Sequence, residues 1–136
     1  MQTGDVLDAI GGLSSQLKSY AAKLPAIVHS TWIKPTPEAV DKYESIVSRF
    51  RNQSTGTAYR SLNDAFVESL EAFEVGKLLG SVQPLLAILD HLERMKRDNE
   101  ITAGQADARR MAEYRIGLQK ILPGNKPELD GAGRGM

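Results

Sequence analysis

Residues 5–24 read DVLDAIGGLSSQLKSYAAKL, and within them Val6, Ile10, Leu13, Leu17, Tyr20 and Leu24 recur at intervals of 4, 3, 4, 3 and 4. Apolar side chains at that interval fall on one stripe of an α-helix, and such a stripe needs an apolar partner. The rhythm returns four more times. It is carried by Val40, Tyr43, Val47 and Phe50 (with Ile46 adding width), by Tyr59, Leu62, Phe66, Leu70 and Phe73, by Leu85, Leu86, Ile88, Leu89, Leu92 and Met95, and by Met111, Tyr114, Leu118 and Ile121. The sequence therefore predicts an all-α fold, a bundle of four to five amphipathic, mostly antiparallel helices. Short connections between the later helices favour antiparallel neighbours. Residues 1–122 read as one domain. Residues 123–136 hold four Gly and two Pro, with Leu129 and Met136 as their large apolar side chains, and read as a flexible polar tail.

Capping and breaking residues set the expected bounds. Asp5 is placed to cap the first helix and to complement the positive end of its dipole, and Pro25 marks its end. Gly11 and Gly12 lie off the stripe and each costs about 1 kcal/mol relative to Ala. They predict either close packing or a local irregularity. Thr36-Pro37-Glu38 opens the second helix, and Asn52 to Gly56 reads as a loop. The third helix is expected over 58–79. It carries three of the eight aromatics, which marks it as the central helix, and Gly80 ends it. The fourth is expected from Pro84 to Asp98, and the fifth from Thr102, paired with Gln105 as a capping box.

The stretch from Pro25 to Pro35 is too apolar for a solvated loop. Its β-branched density fits a short strand, and a short helix with an ordered connector fits equally. Ile27, Val28, Trp32 and Ile33 are the expected interface residues, with Trp32 as a buried anchor. A lid on the chain's own core is the competing reading of Trp32.

Composition narrows the classes of function. Seventeen basic and seventeen acidic residues argue against a dedicated duplex-DNA binder and against a polybasic membrane-surface protein. Without Cys there is no disulfide, thiol chemistry or Cys-based zinc site. No basic-then-apolar leader and no run of about twenty apolar residues is present, so the expectation is a soluble cytoplasmic chain without a membrane partner. The charges are nonetheless segregated. Residues 61–80 carry four acids and one base, and residues 101–122 carry four bases and two acids. Opposite local signs suit contact between helices or between copies, and two solvated faces is the plainer reading.

No constellation for catalysis stands out. His29 and His91 lie in different elements without metal-ligand spacing, and no P-loop or nucleophile elbow occurs. Glu68, Glu71 and Glu74 lack the Glu-x-x-His pairing of a di-metal bundle and read as a solvated acidic face. No cofactor and no metal is expected. The segment from Arg49 to Arg60 is the most suggestive, because it joins Arg49, Arg51 and Arg60 to two aromatics and a polar loop. Single strands are bound by such mixtures, with Arg on phosphate and rings under bases. Phe50 and Tyr59 also fall on apolar stripes, which points them to the core instead. In an up-and-down bundle Arg94, Lys96, Arg97, Arg109 and Arg110 share that end.

The rhythm from Ile101 to Leu122, in so small a helical chain, is similar in class though not in motif to helical coat-protein bundles and small subunits of ribonucleoprotein complexes. The function expected is a non-enzymatic small helical subunit that assembles with itself or within a larger complex. The alternative is a subunit that contacts single-stranded nucleic acid.

Overall fold

The computed structural model describes residues 1–23 and 34–121. They form α1 (Thr3–Lys23), α2 (Pro37–Ser54), a 3-10 turn (Ala58–Leu62), α3 (Asn63–Glu74), α4 (Leu78–Arg97) and α5 (Gln105–Ile121). Among the described residues there is no strand, and the all-α bundle is the fold. The expected interface residues Ile27, Val28, Trp32 and Ile33, and the tail over 123–136, lie outside the described residues.

The first stripe behaves as its spacing predicts. Val6, Ile10, Leu13 and Leu17 are fully buried, together with Leu7. α1 packs on α2, α4 and α5, α4 packs on α1, α3 and α5, and α3 packs on α2 and α4. The third helix expected over 58–79 is divided into the 3-10 turn and the short α3, which together bury Tyr59, Leu62, Phe66, Ser69 and Phe73, while α1 and α4 supply most of the core.

The chain runs up and down in turn, so an odd number of helices closed around one core must place its first and last helices parallel. Asp8 meets Arg110 at 2.7 Å, and a Cβ on Gly11 would lie 2.6 Å from the Tyr114 hydroxyl. Both contacts advance together along α1 and α5, as parallel helices require. On the next residue, a Cβ on Gly12 would lie 2.9 Å from Ile46 Cδ1 of α2. The glycine pair is therefore the close-packing case: it lets α5 and α2 approach α1 from two sides.

Several boundaries move, each for a local reason. The third helix does not reach Leu79. Gly76 takes φ 78°, and the Gly76 and Lys77 amides donate to the Phe73 and Ala72 carbonyls. A left-handed residue with two such bonds closes a helix C-terminus, and glycine adopts it without a Cβ penalty. α4 then starts six residues before Pro84. Leu78, Val82, Leu85, Leu89 and Leu92 continue one buried stripe, and burying Leu78 and Val82 contributes roughly 1.5–3 kcal/mol each, which offsets the roughly 3 kcal/mol that an interior proline costs. Thr102 is not the cap of α5. The amide of Gly104 donates to Asp107 Oδ2 at 3.2 Å, so an acid in the first turn does the capping. α1 uses the same device, with the Gln2 amide donating to Asp5 Oδ2 at 2.8 Å. Thr36 caps α2 as expected, accepting from the Ala39 amide ahead of Pro37.

Tyrosine hydroxyls cross-link the elements. Ser69 Oγ donates to the Ser81 carbonyl at 2.6 Å, which leaves Tyr43 as the donor to Ser69 at 2.5 Å. By the same logic Thr3 Oγ1 donates to the Thr102 carbonyl at 2.8 Å and receives the Tyr59 hydroxyl at 2.6 Å. Tyr20 reaches the Gly76 carbonyl at 3.2 Å. Buried polar groups that find partners in this way avoid an unpaired cost of about 1–3 kcal/mol each. These bonds also define the two ends of the bundle. One end gathers the start of α1, the turn after α2 and the turn after α4. The other gathers the end of α1, the start of α2 and the α3–α4 turn. No helix among the described residues is long and apolar enough to cross a membrane.

Candidate functional site

The eight basic residues singled out in the sequence do share one end of the bundle, since Thr3, Tyr59 and Thr102 meet there. They do not form one patch. Arg110 is bound to Asp8 and donates to the Tyr114 hydroxyl at 3.0 Å, and its guanidinium pKa is raised first by the Tyr114 bond and then by Asp8. Arg49 lines a small cavity of about 170 Å³ between α1 and α2 beside Asp5 and Asp8. Arg94 donates to His91 Nδ1. Lys96 and Arg97 are exposed in the last turn of α4, where cations complement the negative end of the helix dipole. Arg109 stands on the outward face of α5.

Arg51 and Arg60 differ from these. Both are exposed, and both line one groove of about 690 Å³ between the end of α2 and the start of α3. Neither makes an ion pair among the described residues. Ser54, Thr55, Ser61, Asn63 and Asp64 complete the lining.

The polar segment around this groove holds its own backbone. Ser54 and Thr55 hydroxyls both donate to the Arg51 carbonyl, at 3.2 and 3.1 Å. Thr57 Oγ1 donates to the Ser54 carbonyl at 2.7 Å and accepts from the Tyr59 amide at 3.2 Å. Ser61 donates to the Ala58 carbonyl at 3.4 Å. The hydroxyl protons are therefore committed to closing α2 and starting the 3-10 turn, and are not on offer to a ligand. Phe50 and Tyr59 are 1% and 6% exposed, so they belong to the core and provide no stacking platform. Asn63 Oδ1 is buried without a hydrogen-bond partner. The groove exposes two guanidinium groups and the Asp64 carboxylate, with the unmet Asn63 oxygen buried in its wall. Two guanidiniums bind an oxyanion through paired donors, and the two acceptors take donors from the same ligand.

No protein-family model, no curated protein sequence and no solved structure matches the chain.

Two features escaped the sequence. Arg115 binds Asp90 at 2.5 Å and Glu93 at 3.1 Å, pinning α5 to α4. Its partners lie in another helix, and no spacing within one element signals such a contact. Asn63 gave no signal either, because its unmet oxygen depends on how α3 leaves the 3-10 turn. His91 sits at a half-buried edge beside Arg94, and His29 lies outside the described residues. Among the described residues no three His, Asp or Glu side chains gather as a metal-binding group.

The segregated charges do not meet within the chain. The bases of α5 bind Asp8, Asp90 and Glu93, while Asp64, Glu68, Glu71 and Glu74 make no ion pair among the described residues and stand exposed along α3. Beside the last of these acids, Val75 and Leu79 are 44% and 51% exposed at the α3–α4 turn. At the same end Lys23, Lys34 and Lys42, with Glu38 as the one acid in the lining, give a net positive cleft of about 320 Å³ between α1 and α2.

Proposed function

We propose that the chain is a non-enzymatic helical subunit that assembles with copies of itself, or within a larger complex, through the end bearing the α3–α4 turn. The observation that carries this reading is the pair Val75 and Leu79, large apolar side chains about half exposed on one turn and next to Glu71 and Glu74, which make no ion pair among the described residues. Exposed apolar side chains gain roughly 25 cal/mol for each Å² they remove from water. Charge favours a second copy as the occupant. The acidic face of α3 in one copy complements the cleft of Lys23, Lys34 and Lys42 in another, and like-charged alternatives are disfavoured.

Sedimentation velocity over a concentration series tests the proposal. The chain should shift to larger species as concentration rises, and a Val75→Glu, Leu79→Glu double variant should remain monomeric with unchanged helical signal. A chain that stays monomeric throughout, or a double variant that associates as well as the parent, rules the proposal out.

A further inference from the structure

We propose that the groove carrying Arg51 and Arg60 binds single-stranded nucleic acid, holding one phosphodiester between the two guanidiniums and the adjoining nucleotide's donors on Asn63 and Asp64. The groove lies at the end opposite the assembly surface, so this inference does not depend on the proposed assembly.

What the groove still lacks narrows its ligand. Its backbone carbonyls at Arg51, Ser54 and Ala58 already accept from Thr and Ser hydroxyls, and those hydroxyls have no proton left to donate. An extended peptide would pair through its backbone, and this rim leaves it little to pair with. Four functional groups remain. Arg51 and Arg60 approach the groove from different elements and are free of ion pairs among the described residues. Asn63 Oδ1 is a buried acceptor without a donor. Asp64 is a second acceptor in the same lining. Two cations and one carboxylate give the groove a net charge of +1. That matches the single charge of a phosphodiester better than the higher charge of free phosphate or of a polyphosphate. A nucleotide unit also brings what the acceptors need, a sugar hydroxyl or a base amino group one step from its phosphate.

The absence of an exposed ring from this lining shapes the expected behaviour. Phe50 and Tyr59 are buried, so bases find no aromatic face here, and the groove reads the backbone and one donor instead of a sequence. Binding should be weak for one copy and should gain strength where assembled copies present several grooves to one strand.

The test is fluorescence anisotropy of the full chain with short labelled single-stranded RNA and DNA across a salt series. Two phosphate contacts predict a slope of log affinity against log salt of about −1.4. Arg51→Ala with Arg60→Ala should flatten that slope and weaken binding roughly tenfold at low salt. Asn63→Ala should weaken binding several-fold with no loss of thermal stability, because it removes a buried acceptor that has no partner in the free chain. Binding should persist in the Val75→Glu, Leu79→Glu variant, which separates this groove from the assembly surface. Three results would each overturn the proposal: no binding at the lowest salt, equal weakening by Arg94→Ala with Arg97→Ala, or competition by polyphosphate or polyglutamate as effective as by unlabelled oligonucleotide.

Discussion

The two ends of this bundle are finished differently. At the end where Thr3, Tyr59 and Thr102 meet, hydroxyls saturate the turns, an acid caps the starts of α1 and α5, and Arg110 is tied to Asp8. The polar sequence there is occupied with its own backbone, and the free chemistry is confined to one groove. At the other end Tyr20 reaches across to Gly76 at 3.2 Å and Tyr43 is tied through Ser69 to Ser81, yet Val75 and Leu79 are left half in water. One end is closed by hydrogen bonds and the other is open in apolar surface. The hydroxyls of a polar-looking segment are thus no guide to where a protein partner docks, because their protons are used locally. Apolar side chains left outside a complete core are the better guide.

Each end has its own aromatic cluster, and removing one ring from each gives the largest effect. Phe73 stacks on Tyr43 at 4.3 Å and meets Tyr20 edge-on at 5.6 Å, while Phe66 packs on Phe50 at 4.3 Å. Phe73→Ala and Phe66→Ala should each lower stability by about 3–5 kcal/mol in urea denaturation. The comparison predicts that Phe73→Ala alone also changes the association seen by sedimentation. Equal effects on association would break it.

Gly11→Ala comes next. The substitution gains about 1 kcal/mol of helix propensity but drives a Cβ to 2.6 Å from the Tyr114 hydroxyl. Overpacking of this kind costs roughly 1–3 kcal/mol, so a net loss of about 1 kcal/mol is expected. In a Tyr114→Phe background the loss should shrink, which a double-mutant cycle measures. At the hydrogen-bonded end, Tyr59→Phe removes the hydroxyl donor to Thr3 from a buried chain of bonds, and should cost about 1–2 kcal/mol. Tyr20→Phe removes a longer, partly buried bond at the open end and should cost less than about 1 kcal/mol.

Alkaline titration gives a related contrast. Burial raises the pKa of Tyr43 well above its ordinary 10.0, against a smaller lowering by Ser69, and burial also raises that of Tyr20. A raised pKa means that the folded state holds the phenolic proton longer than the unfolded state. The stability is whole below pH 10.0 and falls as pH rises beyond it. Urea midpoints measured on either side of that pH should show the decline, and Tyr43→Phe should flatten it. The smallest effect belongs to Arg110→Ala. Its partner Asp8 is 70% exposed, so the change should cost no more than about 1 kcal/mol and should weaken with salt.

Much of this fold is written in the spacing of apolar residues. The described stripe residues of α1, α2 and α4 are buried, with Val40 and Leu86 half-buried, and the Thr36-Pro37 start of α2 was legible because a cap and a fixed φ act locally. The errors arose where tertiary contact overrules a local signal. Pro84 looked like a helix start, but Leu78 and Val82 extend a stripe that must be buried. Gly80 looked like a stop, but Gly76 is the residue that adopts the left-handed backbone. The sequence brought Arg51 and Arg60 together correctly through the short turn between them. It could not separate them from Arg110, whose partner Asp8 lies 102 residues away.

The claim that the two ends differ in kind, one internally closed and one built to assemble, is tested most directly by a dilution series of amide ¹H–¹⁵N spectra of the full chain. Resonances of residues 71–80 should shift or broaden as concentration rises, while those of 54–61 and 98–104 hold still. Concentration-dependent change confined to 54–61 and 98–104, with 71–80 unmoved, would contradict it.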